Sequence, residues 1–317
     1  MPQKGINQTK TQESNRALLL RLLKHLGVTS RVELASLSGL QQATITYIIN
    51  DFIKWGLVRE TGIMSGEKGR RTIGIALNDK AFYVIGVRMT RQFFYIGLFN
   101  VMGKIVKSKK IPIGKEQTPQ DIVNSMLDEI QLLRGEHRKK KILAAGLSLP
   151  GPYYPELGKI MAITGFEGWN AIDIKQEFEN ALDIPVLIEH DANAGALAEW
   201  WRMPLERSKE VLIYVAAGQG IGAGILSDGQ LFKGAFGTAG EIGHISMDAF
   251  GEKCACNNRG CLTEFVSTVR LMKQIEKALA AGEKSCLKPG FTYEEAVKAI
   301  KGKDEAAYKV FHEEIVR

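Results

Sequence analysis

Ten residues after His244 the chain places Cys254-x-Cys256-x4-Cys261, three thiols and an imidazole within a short stretch. One histidine and three cysteines form the ligand set of a closed tetrahedral structural zinc site, with Zn–S bonds near about 2.3 Å. Any fold for this region must bring His244, Cys254, Cys256 and Cys261 to one point. The loop Asn257-Asn-Arg-Gly260 supplies residue types that let a chain wrap a metal. A set of buried free cysteines is the competing account. Only four cysteines occur in 317 residues, which suits metal ligands in a reducing cytoplasm better than a disulfide framework. Cys286 stands apart, and reads as a core or surface thiol.

A chain of this length exceeds what one hydrophobic core usually serves, so two or three domains are expected. No targeting segment is visible, and no apolar run approaches the roughly 20 residues that span a bilayer, so no membrane partner is expected. Net charge is +7. Residues 1–80 hold 12 Lys/Arg against 6 Asp/Glu, and the remaining 237 hold 30 against 29. A basic module on a near-neutral body is the footprint of nucleic-acid binding.

Within that module, residues 15–78 read helix, helix, helix, hairpin. Gly27 ends a first helix, Ala17–Leu26. Ser30 is placed to N-cap Arg31–Ser38, with Glu33 completing a capping box. Gly39 sits at a turn that favours positive φ, and a third helix runs Gln41–Trp55. Gln41, Gln42, Thr44, Thr46 and Tyr47 stay polar near its start, the part of a recognition helix that enters a major groove. Leu57–Thr61 and Thr72–Leu77 flank a polar segment ending in Arg70 and Arg71, a wing able to reach phosphate. A small helical packing domain with solvated charges is the bland alternative.

Beyond residue 80, three short strands, Tyr83–Met89, Phe93–Phe99 and Ile105–Ile113, precede a helix at Pro119–Leu133 and a buried strand, Ile142–Ser148. A helix at Ile172–Ala181, a strand at Val186–Glu189 and a helix at Ala192–Trp201 follow. The strand-turn-strand opening recurs at Val211–Ala216, Gly224–Leu226 and Gln230–Lys233, and residues 293–317 read as helical. Two halves that each open with antiparallel strands suggest a duplicated α/β architecture.

Asp191 lies where a strand meets a helix, and serves equally as a general base for a sugar hydroxyl or as an N-cap. Glu241, in Gly240-Glu-Ile-Gly-His244, sits where zinc would fix its loop. Gly218-Gln-Gly220-Ile-Gly222-Ala-Gly224 is not a dinucleotide fingerprint, because strand and turn rather than a helix follow it. It is either a hairpin presenting N–H groups to phosphate or sugar, or simply a tight hairpin.

Gly220-Ile-Gly-Ala-Gly224, Gly240-Glu-Ile-Gly-His244, the cysteine cluster and Glu189-His-Asp-Ala-Asn-Ala194 together resemble the ROK family of repressors and sugar kinases. The resemblance runs from about Asn7 onward, and the N-terminal helices are similar to its regulator branch. It implies a winged helix-turn-helix in residues 1–78, followed by a two-lobed, actin-like (ribonuclease H-like) α/β domain of sugar-kinase type. Its lobes would be residues 79–196 and 197–317, with family members continuing for several more elements. It implies that Asp191 matches the kinases' catalytic base, and that Glu241 and His244, with His190 beside Asp191, line a sugar site.

Departures from the family pattern are specific. Arg88 stands where the kinases' phosphate loop carries aspartate, and Thr90 and Arg91 replace its glycines. His190 replaces the asparagine before the base, Asn257 replaces a glycine, and Thr263 replaces a glutamate, with Glu264 one residue on. Loss of the phosphate loop argues against phosphoryl transfer. The expected protein is a cytoplasmic, non-catalytic, sugar-responsive regulator, a homodimer or higher homo-oligomer on a palindromic double-stranded DNA operator. An active sugar kinase that also binds DNA, or a zinc-stabilised scaffold that senses no ligand, is the alternative.

Overall fold

The computed structural model describes residues 8–65, 71–114, 116–154, 157–160, 167–204, 207, 210–235 and 237–315. Two compact units result, Met1–Glu189 with Pro204–Glu206, and His190–Met203 with Arg207–Arg317.

The first unit opens with α1 (Gln8–Leu26), β1 (Thr29–Ser30), α2 (Arg31–Ser38) and α3 (Gln42–Lys54), then β2 (Val58–Ser65) and β3 (Arg71–Leu77). Leu19, Leu23, Leu34, Ile45, Ile49 and Phe52 are almost fully buried and form its core. The expected hairpin is a three-stranded sheet, order β1-β3-β2, because Thr29 and Ser30 pair antiparallel with Ile75 and Gly74. The tip between β2 and β3, with Arg70, lies outside the described residues.

Ser30 caps α2, its hydroxyl accepting from the Glu33 N–H at 3.1 Å. The return half of the expected capping box is replaced. Thr29 is fully buried, and its hydroxyl donates to the Glu33 carboxylate at 2.6 Å. A buried hydroxyl needs a partner, and Glu33 is the one at hand. Gly39 ends α2 at φ +70°, its N–H donating to the Ala35 carbonyl.

Next in the first unit come β4 (Phe82–Met89), β5 (Phe93–Asn100), β6 (Ile105–Pro112), α4 (Pro119–Glu136) and β7 (Lys141–Leu149). A short pair, β8 (Tyr153–Tyr154) and β9 (Lys159–Ile160), leads to α5 (Ile174–Leu182) and β10 (Val186–His190). The main sheet has the order β10-β7-β4-β5-β6. β4, β5 and β6 run antiparallel to one another, while β4 and β7 run parallel, with Gly86 opposite Gly146. Ile122, Met126 and Ile130 of α4, with Trp169 and Phe178, are buried in the same core as Ile85, Val87 and Met89 of β4.

Only Asn78–Ala81 separate β3 from β4. Asn78 donates its backbone N–H to Leu57 O and its side-chain amide to Gly56 O. Val101 and Met102, in the β5–β6 turn, pack on the core of the N-terminal helices.

The second unit holds α6 (Asp191–Arg202), the antiparallel strands β11 (Leu212–Ala217), β12 (Ile221–Ser227) and β13 (Gln230–Leu231), and α7 (Thr263–Val266). A helical cluster follows: α8 (Thr268–Ala280), α9 (Tyr293–Lys301) and α10 (Glu305–Ile315). The sequence reading did not assign α8, although Leu271, Ile275 and Ala278 mark its buried face. The expected helical run from 293 is two helices, with Lys303 between them at φ +57°. The Asp304 carboxylate accepts from the Ala307 N–H, the Ser285 hydroxyl and the Cys286 N–H, so it starts a new helix and ties down the preceding loop. No helix among the described residues is long and apolar enough to cross a membrane.

A Cβ at Gly39 would meet no atom within 4 Å, so Gly39→Ala tests backbone conformation alone. Left-handed backbone costs an L-residue about 1–2 kcal/mol, less for Asn. We expect urea unfolding followed by circular dichroism to show about that loss for Gly39→Ala and a smaller one for Gly39→Asn. Equal stability of all three would contradict the turn.

Candidate functional site

The residues from Gly240 onward leave β13 through a tight turn, Ile242–His244, and return through the loop that carries the cysteines. Short bridges hold the loop: Ser246 pairs with Cys261, and Lys253 with Arg259. The Cys254 N–H donates to Asn258 O at 2.9 Å, and the Met247 N–H to Gly260 O at 2.7 Å. Asn257 adopts φ +70°, a conformation open to Gly and Asn and few others. A Cβ at Gly260 would overlap the Asp248 carbonyl.

This knot brings the ligand atoms of His244, Cys254, Cys256 and Cys261 within 4.8 Å of one another. His244 Nδ1 lies 3.6 Å from Cys254 Sγ, and Cys256 Sγ lies 3.6 Å from Cys261 Sγ. Ligands bonded at about 2.3 Å around a tetrahedral centre stand about 3.8 Å apart, close to these two separations, so the set could hold a metal ion. A disulfide needs about 2.05 Å, so these thiols are not bonded to each other. Burial pushes the Cys254 thiol up to about 12 and also raises Cys261. A divalent cation supplies the charge that makes thiolates favourable in such a place.

The remaining candidates of the second unit converge on β12. A Cβ at Gly224 would overlap the Ala192 carbonyl, in the first turn of α6. One at Gly222 would stand 3.7 Å from the His190 ring. On the strand's free edge, the Ala223 N–H donates to Gly240 O at 2.7 Å. Cβ atoms at Gly240 and Gly243 would overlap the carbonyls of Ala223 and Ile221. β12 thus sets the α6 terminus carrying His190 and Asp191 against its backbone, and the turn carrying Glu241 and His244 beside it.

Asp191 is not the N-cap. His190 occupies that position and Asp191 is the first helical residue. Its carboxylate lies 3.2 Å from His190 Nε2, and both side chains are partly exposed. Gly218 and Gly220 meet nothing within 4 Å and lie in the β11–β12 turn, where the Gly218 N–H donates to Gly220 O and the Thr268 N–H to Gly218 O. The glycine run therefore divides into an open turn and a packing strand. Sequence reading missed the roles of Gly240 and Gly243, although their spacing around Glu241 was the available signal.

In the first unit, the β4–β5 turn is closed by its own threonine. Thr90 Oγ1 accepts from the N–H groups of Gln92 and Phe93 at 3.3 and 3.2 Å and donates to Phe93 O at 2.8 Å. Backbone donors that a glycine loop would offer to a phosphate are here already used. Arg88 is exposed near the end of β4, and burial lowers the pKa of Arg91.

At the N-terminus, Gln41 caps α3 by backbone conformation alone, and Gln41, Gln42, Thr46 and Tyr47 are exposed along its first turns. Thr46 Oγ1 already donates to Gln42 O at 2.9 Å. Thr44 is half-buried and, with Tyr47 of α3 and Gln12, Asn15 and Arg16 of α1, lines a cleft of about 310 Å³. Asn50, which the sequence reading passed over, is exposed on α3 and lies 3.4 Å from the Arg31 guanidinium. Arg71 is exposed at the start of β3. An Arg16–Asp51 ion pair of 2.7 Å holds α1 to α3.

Comparison with known proteins gives a consistent result. The chain is 32% identical over 283 residues to the DNA-binding transcriptional dual regulator NagC of Escherichia coli, covering 88% of this chain and 68% of that protein. It is 29% identical over 278 residues to the xylose repressor of Caldicellulosiruptor bescii, covering 87% of this chain and 69% of that protein. A crystal structure of a ROK family transcriptional regulator, a homolog of the E. coli MLC protein, superimposes with a TM-score of 0.76 at 27% identity, over 94% of this chain and 77% of that one. Residues 84–315 match the ROK family as a whole, and the chain, with its α/β sugar-kinase-type fold, belongs to that family.

Proposed function

We propose that this chain is a sugar-responsive, DNA-binding transcription regulator, a repressor released by a sugar or sugar derivative, without kinase activity. The observation that carries this reading is the extent of the similarity to the repressors. An alignment of 283 residues is longer than residues 84–317, so it reaches into the N-terminal helices and sheet, outside the part shared with the family as a whole. In this reading residues 1–78 form a winged helix-turn-helix. Gln41, Gln42, Thr44, Thr46 and Tyr47 face the major groove, and Arg70 and Arg71 of the wing meet phosphate. The two effector lobes divide after residue 189, ahead of α6, rather than at residue 196 within that helix. The three helices and three-stranded sheet formed by residues 8–77 support this assignment.

Asp191, His190, Glu241 and His244 form the sugar site, and a structural zinc ion on His244, Cys254, Cys256 and Cys261 holds its His244 side. The zinc supplies rigidity and no reaction step. The closed Thr90 turn and Arg88 support the absence of phosphoryl transfer, which relies on positioned nucleotide, metal and charge. A two-fold dimer presenting two α3 helices accounts for a palindromic operator.

Three outcomes follow. Protein purified without chelator should carry about one zinc per chain by elemental analysis, and Cys256→Ser should lose it together with much of the folded protein. Less than about a tenth of an equivalent would overturn the zinc assignment. A coupled assay with magnesium, ATP and a panel of monosaccharides should show no sugar-dependent turnover. Turnover that disappears in Asp191→Ala would make this chain a kinase. On duplexes recovered by in vitro selection, Gln42→Ala should lose about 1–3 kcal/mol of preference for the selected sequence. Arg71→Ala should instead weaken all duplexes alike and reduce the salt slope by about 1. Binding equal for every sequence in the unaltered chain would sink the regulator reading.

A further inference from the structure

The body of the chain beyond residue 80 carries almost no net charge, yet its positive side chains are not evenly spread. Two of those on β6 are neutralised within the unit, Lys107 by Glu136 and Lys109 by Glu129. A different situation holds where α4 returns into β7. The segment His137-Arg-Lys-Lys-Lys141 contains no carboxylate, and among the described residues no ion pair involves Arg138, Lys139, Lys140 or Lys141. Arg138, Lys139 and Lys141 are exposed. Together with Arg134 and His137, Arg138 and Lys140 line an open cleft of about 350 Å³.

The topology fixes where this cluster lies. Lys141 is paired with Phe82, the first residue of β4, and Tyr83 of β4 is paired with Asn100 at the end of β5. The basic turn, the four-residue linker from β3 and the β5–β6 turn therefore share one end of the main sheet. That is the end onto which the N-terminal helices pack through Val101 and Met102. Lys80 in the linker and Lys104 in the β5–β6 turn add two exposed cations there.

The cluster is also held in place. Lys140 Nζ sits 4.0 Å from the centre of the Tyr83 ring, and Lys141 Nζ 5.0 Å from that of Phe82. The Arg134 guanidinium donates to Leu182 O at 2.8 Å. Both aromatic rings belong to the first two residues after the linker, so the cations are seated at the joint with the N-terminal helices.

We propose that this basic end of the effector lobe is a second DNA-contacting surface, which binds backbone phosphates flanking the half-site that α3 reads. The inference rests on the DNA-binding reading above. Its chemistry is non-specific: exposed Lys and Arg release condensed counterions from phosphate and carry no base information. Its place in the binding reaction is to add affinity and to restrict the angle between the lobe and the duplex.

The test uses the full chain and a duplex of about 40 base pairs of random sequence, with anisotropy measured between about 50 and 200 mM KCl. In Arg138→Gln/Lys139→Gln/Lys141→Gln, the slope of log affinity against log salt should fall by about 2 to 3, at about 0.9 for each phosphate no longer neutralised. The thermal midpoint should fall only slightly, by the loss of the Lys141 contact with Phe82, since all three side chains are exposed. Lys284→Gln/Lys288→Gln/Lys301→Gln removes the same charge from exposed positions of the second unit and should leave the slope unaltered. If the unaltered chain binds DNA and the first triple variant keeps its slope, the proposal fails while the regulator reading stands. An equal effect from the control variant would reduce the result to net charge and overturn the proposal too. So would millimolar inorganic phosphate protecting the unaltered chain alone from thermal unfolding, with no difference between variants on DNA, since the cleft would then be a small-anion site. A chain that binds no duplex at any salt sinks both readings together.

Discussion

The second unit depends on backbone lying against backbone at β12. Ordinary side chains keep a helix or a neighbouring chain segment several ångströms from a strand, and here Gly224, Gly240 and Gly243 remove that spacing at three positions. The first turn of α6 consequently rests on the strand itself, and the Gly240–His244 turn extends the sheet on the other edge. Close packing makes interiors intolerant of even one added methyl group, so these positions act as distance constraints rather than as flexible joints. Because the same turn ends in His244, the cluster of candidate metal ligands inherits the register of β12. The cysteine loop, tied by Gly260 and Asn257, then closes on a histidine whose place the strand has already fixed.

Residue patterns that report local chemistry were legible in the sequence, and patterns that report tertiary approach were not. The four ligands, the Ser30 cap, the Gly39 turn and the strands of the main sheet all follow from spacing and turn residues. Glu33 departs from the capping-box rule because Thr29 is buried by the pairing of β1 with β3, a contact some 45 residues apart in sequence. Asp191 reads equally as cap or base from its neighbours alone. The structure shows His190 in the cap position, because β10 runs one residue further than the alternation of apolar residues indicates. Glycines 218 to 224 look uniform in sequence, yet two lie in open space and two pack on α6 and its cap, a distinction that only the position of α6 creates.

The β4–β5 turn shows how a single threonine can act twice. Compared with a glycine at that position, Thr90 adds a side chain that limits close approach to the backbone, which the sequence already implies. It also supplies a hydroxyl that takes up the N–H groups of Gln92 and Phe93. Both effects make the turn's backbone less available to a ligand, and the second is the stronger argument. A side chain can rotate away, whereas satisfied backbone donors must break existing hydrogen bonds before they serve a ligand. Short local bonds of this kind are what Thr favours in turns, so the turn is stable as it stands.

Charge must be judged on the scale over which it acts. At physiological salt the screening length is about 8 Å, so a ligand senses a cluster and not the total for a domain. Summed over 237 residues the effector region is nearly neutral, and that sum hides two different arrangements. Lys107 and Lys109 are paired with carboxylates of α4, which offsets their charge locally. The cations of the α4–β7 turn stack on Phe82 and Tyr83 instead, which fixes their position without cancelling their charge. Aromatic rings at the start of β4 thus do two things at once. They anchor the strand that follows the linker in the apolar core, and they hold positive charge at the joint with the helices that carry α3.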